Sequence, residues 1–341
     1  MKTSVLFILL ILLMTSCIED VVPPPFTGEL EGSAEILRYV EAQGDFINTL
    51  QAPALIEPEE VYSNLNNFRI IDVRPPDEFI QGHIENAVNL LSSQILNFID
   101  SIYDGGQTKL VLVSKNGQSS SYYTSLLRLF GYKNIFTMNF GMAAWNADFA
   151  DEWLYALGND PEIAYYTKDN FPKHEQSNLP LIQFEDRNLP IETRVKKRVA
   201  DQFKFGFRQE TVYRIHLSVF ESDYLVCYGE PRIYQARSNG VFDGLGHPLN
   251  AVFYQSDPIY DFRSVKYLQT LPANKIIFVY DGNGQLSAAV VAYLRLLGYE
   301  AVMLEFGANQ LFYSRISDDP ELFEYRFSSE IIKNYPYVTG N

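Results

Sequence analysis

The sequence predicts an α/β fold in two domains, each a mostly parallel central sheet flanked by helices. Three observations lead there. At Val111-Leu112-Val113-Ser114-Lys115-Asn116-Gly117-Gln118 an apolar run enters a short polar loop with a glycine, and a helical pattern follows as far as Gly131. The same pattern returns at Phe278-Val279-Tyr280-Asp281-Gly282-Asn283-Gly284-Gln285, with Ser114 matched to Asp281 and Gly117 to Gly284 at one offset of 167 residues. Strand-like runs alternate with helical ones, the order a parallel sheet requires. So much shared register marks an internal duplication.

The bulk composition sets bounds. A chain of 341 residues suffices for two domains, and 47% hydrophobic content allows sizeable cores. The net charge of -15 argues against a nucleic-acid partner, because phosphate binding rests on Lys and Arg. Of the two cysteines, Cys17 falls in the leader, so the folded part holds Cys227 alone and no intrachain disulfide framework.

Residues 1–16 read as a signal peptide. Lys2 supplies the positive end, and Val5 to Met14 is an apolar run of ten residues, too short to span a bilayer. Thr15-Ser16-Cys17 then resembles the lipobox of bacterial lipoproteins, with Met14 where Leu is usual. The resemblance implies cleavage before Cys17 and lipid attachment to it. An ordinary secretory signal is the alternative. Ile18 stands where an inner-membrane retention signal would have Asp, which points to an outer-membrane lipoprotein, periplasmic or surface-exposed. Residues 17–32, with Pro23-Pro24-Pro25, form an extended tether.

Residues 33–157 make the first domain. A helix is expected from Ser33 to Phe46, with Ser33 as its cap and Ile36, Leu37 and Val40 on one face. Ala54-Leu55-Ile56 and Phe68 to Val73 read as strands, and Glu57-Pro58-Glu59-Glu60-Val61 as a helix start. After the loop, Tyr123, Leu126, Leu127 and Phe130 recur on one helical face, which Gly131 closes. Ile71-Asp72-Val73-Arg74, Glu78-Phe79, Gly82-His83-Ile84 and Ala87-Val88-Asn89 resemble the opening signature of rhodanese-like domains. Gly141 and Trp145 resemble its second half. The resemblance covers roughly residues 50–155 and implies an active loop at the carboxyl end of a strand.

Residues 158–205 form a connector that ends in an amphipathic helix, Thr193 to Phe205, whose basic face should pair with the acidic body. Residues 206–325 are the second, divergent rhodanese-like domain. Gly246-His247 answers Gly82-His83, Asn250-Ala251-Val252 answers Asn86-Ala87-Val88, and Phe306-Gly307 answers Phe140-Gly141. Cys227-Tyr228-Gly229 replaces Asp72-Val73-Arg74, and Leu311 replaces Trp145. Residues 326–341 are a C-terminal tail.

In active members of the family the first loop residue is a cysteine, whose thiolate carries sulfane sulfur as a persulfide. Here that position is Ser114 in one loop and Asp281 in the other, and neither side chain can carry a persulfide. The arginine often found five residues on is also replaced, by Ser119 and Leu286. A serine nucleophile would need a general base; His83 and His247 belong to the structural Gly-His motif, His174 lies in the connector, and His216 remains. Cys227 reads as a buried strand residue. No metal site or cofactor is implied.

What the loops keep is backbone chemistry. Ser114, Lys115, Asn116, Gly117, Gln118, Ser119 and Ser120 are expected to bind a small anion weakly. Asp281 is expected to close the second loop to anions and to cap its own helix. The functional expectation is a catalytically inactive binding or assembly module, with an unknown protein partner or a small anion. The alternative is a sulfurtransferase or sulfur carrier of the family type.

Overall fold

The computed structural model describes residues 32–340, except 45, 50, 159–165, 209–211, 214–222, 236–245, 257–261 and 263–264. Cys17, its leader, nearly all of the tether and His216 lie outside the described residues.

The first sheet contains β1 (Leu55–Ile56), β2 (Arg69–Asp72), β3 (Val88–Asn89), β4 (Leu110–Val113) and β5 (Ile135–Met138) in the order β1-β5-β4-β2-β3, and every neighbouring pair is parallel. At its centre β4 is Leu-Val-Leu-Val, buried throughout, the continuous apolar run of a strand covered on both faces. Between the sheets in sequence lies the short β6 (Tyr166–Thr167). The second sheet contains β7 (Val212–Tyr213), β8 (Tyr224–Gly229), β10 (Val252–Gln255), β11 (Ile277–Tyr280) and β12 (Ala301–Leu304) in the order β7-β12-β11-β8-β10, again parallel throughout. The two orders match strand for strand. The remaining strand, β9 (His247–Pro248), pairs antiparallel with β6.

The duplication extends to unusual backbone. Asn86 and Asn250 share φ 66° and 64°, and Phe140 and Phe306 share 55° and 57°. A positive φ at a bulky residue is uncommon, so these pairs are evidence of shared local geometry.

Helices Gln118–Phe130 and Gln285–Leu296 follow the two loops and pack against each other. Serine and alanine let them approach: Ser121 Oγ donates to the Gln285 carbonyl at 2.6 Å and Ser125 Oγ to the Ala289 carbonyl at 3.0 Å. One apolar core runs through both halves, with Leu126 and Leu127 joined to Val290, Tyr293 and Leu294. Each such buried side chain stabilises by about 1.5–3 kcal/mol.

Three local expectations need correction. The first helix is Ser33–Ala42 rather than extending to Phe46. Gly44, at φ 113°, ends the run, and Phe46–Asn48 is a single 3-10 turn. Gly32, not Ser33, occupies the cap position; the Ser33 hydroxyl is buried between the carbonyls of Pro180 and Leu297. The connector helix begins at Ile191, directly after Pro190, and runs to Phe205. Its basic face is taken up within the chain: Arg194 pairs with Glu35 at 2.7 Å, Lys196 with Asp100 at 2.6 Å, and Lys197 with Glu185. Arg198 donates to the carbonyls of Leu296 and Arg295.

The C-terminal tail runs back over the first half. Lys333 and Tyr335 N–H groups donate to the carbonyls of Ala144 and Trp145, and Gly340 N–H to that of Ile80. The Trp145 indole donates to the Pro336 carbonyl at 2.9 Å.

Candidate functional site

Each loop leaves the carboxyl end of a central strand, where parallel sheets place their ligands. In the first, Ser114 is buried. Its Oγ accepts from the N–H groups of Gly117 at 3.1 Å and Ser120 at 3.3 Å. It also lies 3.0 Å from the Ser120 hydroxyl, which receives a hydrogen bond from Thr137. The serine oxygen therefore occupies the ring of N–H groups that would otherwise face a ligand.

Asn116 and Lys115 in the same loop are drawn to separate partners. Asn116 Oδ1 accepts the Gln118 N–H at 3.0 Å, and the Asn116 carbonyl accepts the Trp153 indole at 3.1 Å. Lys115 is the loop's cation, yet its Nζ lies 3.8 Å from Glu152 and 4.0 Å from Glu78. Gln118 does not face the N–H ring; its amide crosses to the second half and lies where a Cβ on Gly284 would sit. Ser119 is half-buried.

The second loop repeats the arrangement with a carboxylate. Asp281 Oδ1 accepts from Gly284 N–H at 2.8 Å and from the Ser287 hydroxyl at 2.7 Å. Its Oδ2 accepts from Leu286 N–H at 3.3 Å and Asn283 N–H at 3.4 Å. Burial pushes the Asp281 carboxyl pKa up, while these hydrogen bonds pull it the other way. The Tyr325 ring lies over Gly282 where a Cβ would be. Asn309 ties the two together, donating to the carbonyls of Gly282 at 2.8 Å and Tyr325 at 2.6 Å.

The loops also meet each other. Gln285 reaches into the first half, where its Oε1 accepts Phe140 N–H at 3.0 Å and its Nε2 donates to Asn139 Oδ1 at 2.8 Å. Gly117 and Gly284 share φ 86°, and a Cβ on either would collide with the opposite glutamine. This bridge by Gln285 was missed in the sequence, although the repeated Gly-Gln pair was its available signal.

No described histidine reaches either loop residue. His83 Nδ1 bonds the Phe79 carbonyl at 2.8 Å, with the two rings stacked at 3.7 Å. His247 repeats this on Tyr234, at 3.0 Å and 3.6 Å. His174 bonds the Glu175 carbonyl. Among the described residues no three His, Cys, Asp or Glu side chains gather as a metal centre requires.

A second difference between the halves concerns a guanidinium. In the first half Arg74 forms a buried ion pair with Asp72 at 2.6 Å and donates to the Gly82 carbonyl at 2.7 Å. The second half has Gly229 at the matching position, and Arg315 arrives from another part of the chain to bond the Gly246 carbonyl. It also donates to the carbonyls of Ile233 at 3.1 Å and Gln235 at 2.7 Å. Cys227 lies in β8 beside Tyr280 and is fully buried. Burial pushes its thiol pKa up to about 12.

A five-stranded parallel sheet with a glycine loop between its central strand and a helix N-terminus defines an α/β domain built to present a loop. Within the first half, the model of the rhodanese-like domain family matches residues 57–148. The thiosulfate sulfurtransferase GlpE of Pseudoalteromonas translucida is 26% identical over 107 residues, which is 31% of this chain and 92% of that protein. The uncharacterized protein YibN of Escherichia coli is 27% identical over 77 residues, 22% of this chain and 54% of that one. Among solved structures, a thiosulfate sulfurtransferase from Pseudomonas aeruginosa matches over 78% of this chain and 46% of its own, at 16% identity and a TM-score of 0.29. The SseA structure from Escherichia coli, described under 3-mercaptopyruvate sulfotransferases, matches over 73% and 97%, at 14% identity and a TM-score of 0.25.

Proposed function

We propose that the chain is a catalytically inactive tandem rhodanese-like protein, held to the outer membrane through lipidated Cys17, and acting as a binding or assembly module. The observation that carries the reading is the occupancy of both N–H rings by the chain's own oxygens, Ser114 Oγ in one and the Asp281 carboxylate in the other. A sulfurtransferase loop needs a thiolate there. The described residues hold one thiol, Cys227, and it is buried with a raised pKa. The matching strand orders support a second rhodanese-like domain.

A small anion is compatible with the first loop only by displacing Ser114 Oγ from the Gly117 and Ser120 N–H groups, so its binding is weak. The alternative, sulfur transfer, draws on the names of the sulfurtransferase relatives. Thiocyanate production from thiosulfate and cyanide by the full chain separates the two: background rates are expected, and turnover abolished by Cys227→Ser would establish the alternative. Fractionation of a Cys17→Ala variant tests the anchor. Release from the membrane is expected, and retention would contradict it.

A further inference from the structure

The first half carries a groove of about 450 Å3 that involves neither loop. It is lined by Tyr62, Asn64, Asn66, Asn67 and Glu85, and on its other side by Tyr337 of the C-terminal tail. That volume is in the range of small-molecule sites, roughly the space of two sugar rings.

The lining is built rather than loose. One face of Tyr62 is stacked on Tyr335 with ring centroids 4.1 Å apart, yet the residue stays 39% exposed. The Tyr337 hydroxyl donates to Asp148 at 2.7 Å, which fixes the second ring. Asn64 Nδ2 donates to the Glu60 carbonyl at 2.8 Å, and Asn64 Oδ1 accepts from Asn67 at 3.4 Å. Those amides are thereby oriented before any ligand arrives. The Asn66 amide and the Glu85 carboxylate are exposed and make no hydrogen bond or ion pair among the described residues.

The chemistry of this set is selective. No Lys or Arg lines the groove. An anionic ligand would meet the Glu85 carboxylate without a compensating cation. A cationic one would find a single exposed carboxylate, worth little in water. Side-chain amides both donate and accept, and a carboxylate accepts from adjacent hydroxyls. Fixed aromatic rings offer apolar faces with little ordering cost. A ligand with many hydroxyls and a flat C–H face uses all three. We propose that this groove binds a neutral saccharide of about disaccharide size, with Tyr62 and Tyr337 as stacking walls and Asn66 and Glu85 as the free hydrogen-bonding groups.

Saturation-transfer NMR tests this on the full chain, held in a detergent without a sugar head group, with maltose, cellobiose and chitobiose as probes. Transfer to at least one disaccharide is expected. Asn66→Ala combined with Glu85→Ala removes two exposed groups without intramolecular partners, so the fold is retained, and affinity should fall at least about tenfold. The proposal is overturned if none of the probes receives saturation, if the double variant binds as the unaltered chain does, or if inorganic phosphate or a lysine-rich peptide shifts the Asn66 amide where the sugars do not.

Discussion

Val338 and His83 exchange both of their backbone hydrogen bonds, each N–H to the other's carbonyl at 2.9 Å. Thr167 and His247 are paired antiparallel in the matching place of the second half. The straps are therefore crossed. The segment that follows the first half binds the histidine motif of the second, and the segment that follows the second half binds that of the first. Both histidine rings, their stacked partners and their straps repeat, so the crossing is part of the duplicated design rather than a local accident.

Deletion of residues 333–341 removes the strap on His83 together with the packing of Tyr335 on Trp145 and of Tyr337 on Phe149. The expected loss is about 2–5 kcal/mol, because the two aromatic side chains would be worth about 1.5–3 kcal/mol each if fully buried and are half-buried here. Denaturant unfolding measures it, and Trp145 emission should shift to the red as its indole loses the Pro336 carbonyl. Unchanged stability and emission would show that the strap is ornamental.

Cys227 should be inert. Its thiol is fully buried and its pKa is pushed up to about 12, so almost no thiolate exists at neutral or mildly alkaline pH. Iodoacetamide at pH 8 should leave the native protein unlabelled at this site and label it fully in denaturant. Rapid native labelling would mean that the strand around β8 opens.

His247 introduces a pH dependence. Burial holds its imidazole below the ordinary 6.5, against the pull of the two carbonyls at its ring nitrogens. As pH falls through 6.5 the unfolded chain takes up a proton that the folded protein still refuses, so the unfolded state binds more protons and stability declines. The contribution is full above 6.5 and is lost as pH drops through the depressed value. The unfolding midpoint measured from pH 7.5 to 5 should fall, and His247→Phe, which keeps a ring on Tyr234, should flatten that decline. An imidazole that charges above pH 6.5 by NMR would reverse the sign.

Much of this was legible in the sequence, for identifiable reasons. The parallel sheets follow from apolar runs such as Leu110–Val113 and Ile277–Tyr280 that alternate with helical patterns, and the equivalence of the two loops follows from constant register between Ser114 and Asp281. Local signals settle local structure. The features that escaped depend on contacts distant in sequence. Arg315 replaces the guanidinium of Arg74 from a helix with no motif to announce it. Gln285 satisfies Asn139 and Phe140 across 146 and 145 positions. Ser33 reads as a helix cap because of its position, but its hydroxyl is used 264 residues away, at Leu297. In the first loop, polar residue types suggested ligand donors, whereas folding turns Asn116, Gln118 and Ser120 toward the protein itself.

The central claim is that Ser114 and Asp281 fill their loops as structural groups. Side chains kept for chemistry are commonly replaced at little cost or with a gain in stability, because function and stability compete at active sites. A structural plug behaves in the opposite way. Asp281→Ala would leave three N–H groups without their acceptor, while the Ser287 hydroxyl keeps the Gly284 carbonyl at 3.2 Å. At about 1 kcal/mol or more for each buried orphan, the loss should reach about 3 kcal/mol. Equilibrium denaturation of Asp281→Ala against the unaltered chain is the most direct measurement. A loss of that size is the predicted result; a neutral or stabilising effect would contradict the account and return the second loop to candidacy as a working site.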